Sequence, residues 1–455
     1  MADQEKNLVV SRRDVLKGLV AAAGCGLLPE SIRSSSVPWR LTRTDEAFLD
    51  DLERQGCLFF WDQASPRTGQ VLDRARNDLN GRRDSRRIAS IASTGFGLTA
   101  LCIADYRGYL PHAQILNRVK TMLRWHLNWM PEVHGFFYHF TDVETGQRWA
   151  NSEISPIDTA ILLCGMLTAK AYFADPEVKH LAQQIYERAN WRWLLDGETV
   201  FSVGWRPETG FMKARWTHYC ELMMMCLLAM GSPTHPAPPQ VWDSFSRPEM
   251  TYGGYTYISA GDPLFTHQYS QAWFDFRNRR DAYADYFANS VLATRAHKAF
   301  CLANPEWFSR DRWGISASDS VHGYREWGGP PVRKSLDGTV APCATAGSLV
   351  FLPEDCLAVL QAMRMRWGSR AWGRYGFVDA FHPAANWYDP DVIGIDQGIS
   401  VLMAENLRSG MVWDVFMSNA EAVRGMELAG FRSENGAAQT AVTMAASSSG
   451  KWGSR

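Results

Sequence analysis

Basic tracts interleaved with aromatics are missing from this 455-residue chain, whose formal net charge is −1. Nucleic acid is excluded as a partner on that ground. Long apolar runs are missing too. The N-terminal run Leu16 to Leu28 is too short to span a bilayer, so no permanent membrane span is expected. The cysteines show no metal-ligand spacing and imply no disulfide framework. Cys57, Cys102, Cys164, Cys226, Cys301 and Cys356 sit in largely apolar surroundings, as buried thiols do. His267, His322 and His382 are isolated from one another in sequence, and the Asp389/Asp391 pair lacks the spaced oxygen ligands of a calcium loop. No cofactor and no required metal are expected.

The most telling absence is local. Between Arg374 and Arg408 there is no lysine or arginine, yet Asp379, Asp389, Asp391, Asp396 and Glu405 fall there, around Trp387 and Tyr388. Desolvated carboxylates without basic neighbours repel one another and resist ionising. A fold tolerates that mainly where chemistry or ligand binding uses it.

What is present fits a globular protein with ample material for a buried core. There are 19 tryptophans, many beside Gly, Asp or Arg. Flat aromatic faces next to polar groups suit sugars, although most such rings simply fill cores. Apolar stretches at helical spacing occur near 44–62, 92–108, 113–130, 156–173, 178–193, 215–230, 281–302, 351–367 and 397–409. Some are apolar nearly all round (157–167, 222–230, 399–403) and others amphipathic (176–193), which predicts alternating fully and half-buried helices. An all-α double ring of helices meets that requirement. A TPR-like superhelix competes, but no fixed repeat period is visible. Residues 251–258 read as a short hairpin between helices.

The N-terminus reads as an address. Ser11-Arg-Arg-Asp-Val-Leu16 followed by a Gly/Ala-rich apolar run fits a twin-arginine export signal over residues 1–36, hence a periplasmic or extracellular protein handled by the Tat machinery. Cys25 faintly resembles a lipid-anchor site. Residues 41–432 form the expected folded domain, and the Ala/Ser/Gly-rich tail 433–455 is expected to be disordered.

Acids at helix entrances carry the candidate chemistry. In Asn151-Ser-Glu-Ile-Ser-Pro-Ile-Asp-Thr159, Ser155 reads as an N-cap, Pro156 as the first helical residue and Asp158 as a capping-box acid. Capping explains Asp158 as well as catalysis does; it does not explain Glu153. In Trp216-Thr-His-Tyr-Cys-Glu221, the glutamate precedes a wholly apolar helical turn. Burial there would raise its pKa, as a proton donor requires, whereas Arg215 or His218 would be its partner in a purely structural role. His267, Gln268 and Tyr269 interleave donors with rings, as a saccharide subsite would, or as a surface loop entering a helix would. Asp319 and the stretch 337–342 are similar, while Asp73-Arg74 reads as a structural ion pair and Glu405 as the partner of Arg408.

Several of these segments, taken together, resemble a known family. Phe60-Trp61, Ser90-Ile-Ala-Ser-Thr-Gly-Phe-Gly-Leu98, Gly135-Phe-Phe-Tyr-His-Phe140, Glu153 to Ala160, Gly231 to Pro236, His267-Gln-Tyr-Ser270, Trp313 to Asp319, Asp337 to Pro342 and Trp387-Tyr-Asp-Pro-Asp391 through Gly398 are similar, in order, to the bacterial glycoamylase-like domain. That group includes the endo-β-1,2-glucanases of glycoside hydrolase family 144. The resemblance implies an (α/α)6 barrel with irregular loop and short-strand insertions, cofactor-free action on β-glucan, and an inverting mechanism. It implies Glu221 as general acid and Asp396, or failing it Asp158, as the base. Glu153, Trp216, Tyr219, His267, Gln268, Tyr269, Asp319, Trp387, Tyr388, Asp389, Asp391 and Gln397 become substrate-binding candidates. The chain departs from the family's pattern at Cys343, where Tyr is expected, and at Cys220, where Ser is expected. A polysaccharide lyase using His267 and Tyr269, a transglycosylase, and a non-catalytic glycan-binding protein are the competing functions.

Overall fold

A computed structural model describes residues 40–330 and 336–433. The expected export signal and all of the expected tail after Ser433 lie outside the described residues. Helices dominate: α1 (Arg43–Asp62), α2 (Ile91–Tyr106), α3 (His112–Asn128), α4 (Pro156–Tyr172), α5 (Pro176–Arg188), α6 (Leu222–Gly231), α7 (Gln240–Asp243), α8 (Tyr269–Trp273), α9 (Tyr286–Leu302), α10 (Pro342–Ala346), α11 (Pro353–Trp367), α12 (Gly394–Arg408), α13 (Met411–Phe416) and α14 (Ala420–Leu428).

Their burial sorts them into two rings. Every residue of α6, α8 and α10 is buried, and nearly all of α2, α4 and α12. A helix with no wet face must be surrounded, so these six form the inner ring. The other ring shows one apolar stripe per helix. In α5 it is Val178, Leu181, Ala182, Ile185 and Tyr186, at the three-and-four spacing of a single face. Helices α1, α3, α5, α9 and α11 play this outer part, and α14 covers α6. Helix α12 packs on both α1 and α2, which closes the ring, and α13 lies against α4, α8 and α12. The architecture is the expected (α/α)6 toroid.

Glycines let the inner helices approach at backbone distance. A Cβ on Gly165 of α4 would sit 2.0 Å from the Gly95 carbonyl oxygen of α2, and one on Gly95 would sit 2.4 Å from the Ile161 carbonyl oxygen. Helices α6 and α14 meet the same way, through Gly231 and Gly425.

Short strand pairs line the entrances of the inner helices. Residues 74–76 pair with 391–393, 88–90 with 140–142, and Ile154 bridges Tyr138 and Trp205. The expected hairpin is present as Glu249–Tyr252 paired with Tyr255–Ile258. Two helices start later than their apolar pattern predicts. Helix α6 begins at Leu222 because residues 215–218 are drawn into bridges with Ser202 and Ser246. Helix α9 begins at Tyr286 because Asp285 caps it and Asp281 folds back to accept from the backbone N–H groups of Tyr283 and Ala284.

Candidate active site

Hydrogen bonds and close contacts link the N-terminal ends of all six inner helices. The Ser270 hydroxyl donates to the Glu221 carbonyl and accepts from the Met224 N–H, joining α6 to α8. The Gln268 amide donates to the Ala344 carbonyl of α10. The Cys343 thiol of α10 hydrogen-bonds the Asp396 carboxyl in the first turn of α12. Gly394 of α12 abuts the Ser93 side chain of α2. The Ile91 N–H of α2 donates to the carbonyl of His139, two residues after Phe137, whose N–H reaches Thr159 of α4. Ile154, two residues before α4, pairs with Trp205 on the way to α6. These entrances therefore face one end of the toroid, where helix dipoles add positive potential.

The acids gather at that end. Glu221 is the buried N-cap residue of α6, 4% exposed, and Asp396 in the first turn of α12 is 5% exposed. Tyr269, at the start of α8, connects them. Burial raises its phenol pKa well above the ordinary value, and the charges of Asp396, the Cys343 thiol, Tyr324 and Glu221 add to the effect. His218 pairs with Asp262 at 3.3 Å, and the charge of Glu221 also acts on its imidazole, as the spacing suggested. The Asp262 contact, against the cost of burial, raises the imidazole pKa. Arg215 instead reaches Asp196 at 3.0 Å and the Leu195 carbonyl.

Around Asp396 lies a dense carboxylate group. Burial raises Asp396 to about 6, while the neighbouring Asp379 and Cys343 side chains hold it below where burial alone would put it. Asp379 is 2% exposed, and burial followed by repulsion from Asp396 pushes it well above the carboxylate range. Burial lifts Asp389 to about 7, reinforced by the charge of Asp319. Asp319 accepts from the Arg74 guanidinium at 2.6 Å, and its N–H donates to the Asp379 carboxylate at 2.7 Å. The Asp73–Arg74 pair expected from sequence is present at 3.2 Å, but Arg74 also serves this group.

A second polar group sits at the entrance of α4. Ser155 caps the helix as expected, its hydroxyl accepting from the Asp158 N–H and meeting the Asp158 carboxylate at 2.5 Å. His139 bridges the two acids of the motif, with Nδ1 3.2 Å from Glu153 and Nε2 3.6 Å from Asp158. Burial works against ionising Glu153, but His139 and then Arg206 bring its pKa down to about 2.

The remaining candidates divide. Tyr219 is buried, with its hydroxyl 3.1 Å from His267 Nδ1, and burial lowers the His267 pKa to about 4. Gln268 spends its amide on Ala344 and Ser348, and Gln397 donates to the Phe377 carbonyl. Asp391 is held by both terminal nitrogens of Arg86, at 2.5 and 2.9 Å. Trp387 and Tyr388 are half-buried on a two-residue strand, with Tyr388 stacked on Phe381. Trp216 is half-buried, its indole N–H buried without an acceptor.

Sequence reasoning left four participants out of its site. Asp379 stood in the cation-free stretch but was not separated from its neighbours. His139 lay inside a motif, and Arg74 and Arg86 come from a strand and a loop distant in sequence. One assignment is corrected: Glu405 pairs with Arg107 at 2.7 and 2.8 Å rather than with Arg408. Arg408 turns to Glu46, Glu53 and Asp50 on α1. Three residues along α12 separate Glu405 from Arg408, but the α2 terminus supplies a guanidinium with both nitrogens already in plane.

Known proteins resemble this chain in sequence and fold. Residues 213–420 match the family model described as "Putative glucoamylase". An exo-β-1,2-glucooligosaccharide sophorohydrolase (non-reducing end) of Parabacteroides distasonis is 25% identical over 426 residues, covering 84% of this chain. The match spans 58% of that relative's own length. The endo-β-1,2-glucanase of Chitinophaga pinensis, solved with sophorotriose and glucose, superposes with a TM-score of 0.80 at 28% identity over 85% of this chain and 98% of its own. The endo-β-1,2-glucanase of Talaromyces funiculosus, solved with sophorose, shares the fold at 11% identity, with a TM-score of 0.62 over 85% of this chain and 90% of its own. The chain is thus similar to this family in sequence over residues 213–420 and to the solved glucanases in fold.

Proposed function

Starting from this likeness and the (α/α)6 toroid, we propose that this protein is a glycoside hydrolase cleaving β-1,2-linked glucan, with Glu221 as general acid and Asp396 as the base that activates water. The observation that carries the reading is the pair of buried carboxyls at one end of the toroid, on the entrances of α6 and α12, with Tyr269 in electrostatic contact with both. Two relatives named for β-1,2-glucan or its oligosaccharides support the linkage.

The chemistry divides between these residues. Glu221 delivers a proton to the departing glycosidic oxygen. Asp396, at about 6, is ionised at neutral pH yet basic enough to take a proton from water. An inverting pair leaves about 6.5–9.5 Å between carboxyls for that water. Glu153, kept ionised by His139 and Arg206, accepts from sugar hydroxyls, and half-buried Trp216 and Trp387 offer ring faces for stacking. Asp158 is the alternative base, although its Ser155 contact gives it a capping task.

A panel of β-glucans led by β-1,2-glucan tests this. New reducing ends with an inverted anomer are expected. An unsaturated, ultraviolet-absorbing product would establish a lyase, and transfer to added sugar acceptors a transglycosylase. Binding without cleavage of any member would establish a glycan-binding protein. Export through the Tat machinery to the periplasm or beyond is part of the same proposal, supported by Ser11-Arg-Arg-Asp-Val-Leu16. Replacing Arg12 and Arg13 with Lys should hold the protein in the cytoplasm, and unchanged export would sink that part.

A further inference from the structure

The carboxylates beside Asp396 exceed the positive charge that meets them. Asp319, Asp379 and Asp389 each place one oxygen within 4.8 Å of the others. Arg74 meets Asp319 and Asp73, and Arg86 is taken by Asp84 and Asp391. Asp379 has one oxygen satisfied by the Asp319 N–H, and Asp389 one satisfied by the Asp391 N–H. The second oxygen of each, Asp379 Oδ1 and Asp389 Oδ2, is buried without a hydrogen-bond donor. These side chains are 2% and 5% exposed. Water is therefore poorly placed to compensate them, and a buried acceptor with no donor is costly.

We propose that Asp319, Asp379 and Asp389 form a binding site for one hard divalent cation, Ca²⁺ in kind, seated beside the base. The donor set is all carboxylate oxygen, without imidazole or thiolate, which suits Ca²⁺ or Mg²⁺ and disfavours zinc or copper. Ca²⁺ accepts oxygens at roughly 2.3–2.6 Å in flexible geometry, so one ion bridges oxygens that lie within 4.8 Å of each other. Mg²⁺ demands about 2.0–2.1 Å and a stricter octahedron. The segments that supply the ligands are held independently of the ion. The Asp379 N–H donates to the Asp391 carbonyl, the Asp389 N–H to the Ala380 carbonyl, and residues 317–318 pair with 325–326. The expectation that no metal is required was drawn from acids adjacent in sequence. The three that converge come instead from segments 60 and 70 residues apart, counting from Asp319 to Asp379 and to Asp389.

Binding is measured without sugar, so its outcome is independent of the hydrolase reading. The full chain, stripped with EDTA and dialysed at pH 7.5, is titrated calorimetrically with CaCl₂ and in parallel with MgCl₂, and melting is followed with each. A saturable one-to-one calcium isotherm and a higher melting temperature are expected, both lost in Asp389→Asn and in Asp379→Asn and both kept in Glu221→Gln. Circular dichroism identifies a misfolded variant, and Asp319→Asn then takes its place. Absence of saturable uptake by the wild-type chain up to about 10 mM calcium, beyond the range of weak extracellular modules, would overturn the site. So would uptake that survives both Asp variants, which would put the ion elsewhere. Magnesium binding as tight as calcium would overturn the choice of ion.

Discussion

The two ends of α12 hold buried carboxylates in opposite circumstances. At the C-terminal end, Glu405 is fully buried and receives two hydrogen bonds from Arg107, while Arg408 grips Glu53, also fully buried. At the N-terminal end, Asp396 lies among Asp379, Asp389 and Asp319, with Arg74 held by Asp319 and Asp73. Nine residues of helix, about 14 Å, separate the two arrangements. Paired carboxylates fasten α12 to α1 and α2. Burial raises Glu53 well above its ordinary value in spite of Arg408, whereas at the other end it leaves Asp396 at about 6 and Asp389 at about 7, where protons move at neutral pH. The carboxyl group is the same at both ends, and the supply of counter-charge decides the role.

The largest expected effect breaks the N-terminal end. Glu221→Gln and Asp396→Asn should each lower turnover on β-1,2-glucan by about 10²–10⁴-fold with little change in melting temperature. Full turnover in both would refute the acid and base assignments. The converse disruption is Arg107→Met, which strands Glu405 and should cost about 3–5 kcal/mol of stability in denaturant titration. Activity per folded molecule should survive, and a catalytic loss without destabilisation would erase the distinction between the ends.

A smaller effect has the opposite sign. The folded-state pKa of Asp389 lies at about 7, above its ordinary 3.8, so its ionised form is disfavoured by folding. That penalty enters as pH rises above about 4 and is complete above 7. In EDTA, Asp389→Asn should therefore raise the melting temperature by a few degrees at pH 8 and leave it unchanged below pH 4. A lower melting temperature at pH 8 would show that Asp389 is stabilising as a carboxylate. The smallest effect is in the pH profile. Asp396 must be ionised to act, so in EDTA, with no cation beside it, activity should fall as pH drops through about 6. An acidic limb near 4 would point to an unperturbed base.

Much of this was legible in sequence because the double ring writes itself into hydropathy. Helices apolar on every side, such as α4 and α6, can only be inner, and the stripe of α5 can only be outer. The short inner helices α8 and α10 escaped because five residues carry no period to read. The missing lysine and arginine pointed to the right acids, but not to which of them meet. Asp319 joins Asp379 and Asp389 only through the fold, and Arg86 claims Asp391 from 305 residues away. The 3.6-residue rule likewise put Glu405 beside Arg408 on one helix face, whereas a neighbouring helix offered the better-shaped partner.

The backbone contact between Gly95 and Gly165 has a consequence for the range of sugars this mouth can be adapted to hold. Helix α2 begins beside His139, and α4 carries Asp158 in its first turn, so the spacing of the two helices sets the bore of the entrance between them. That spacing is gauged by carbonyl oxygens in the shaft, not by side chains at the rim. Substitutions in the entrance loops can redecorate the opening while its calibre stays constant. Only a change at the two glycines would ream it wider.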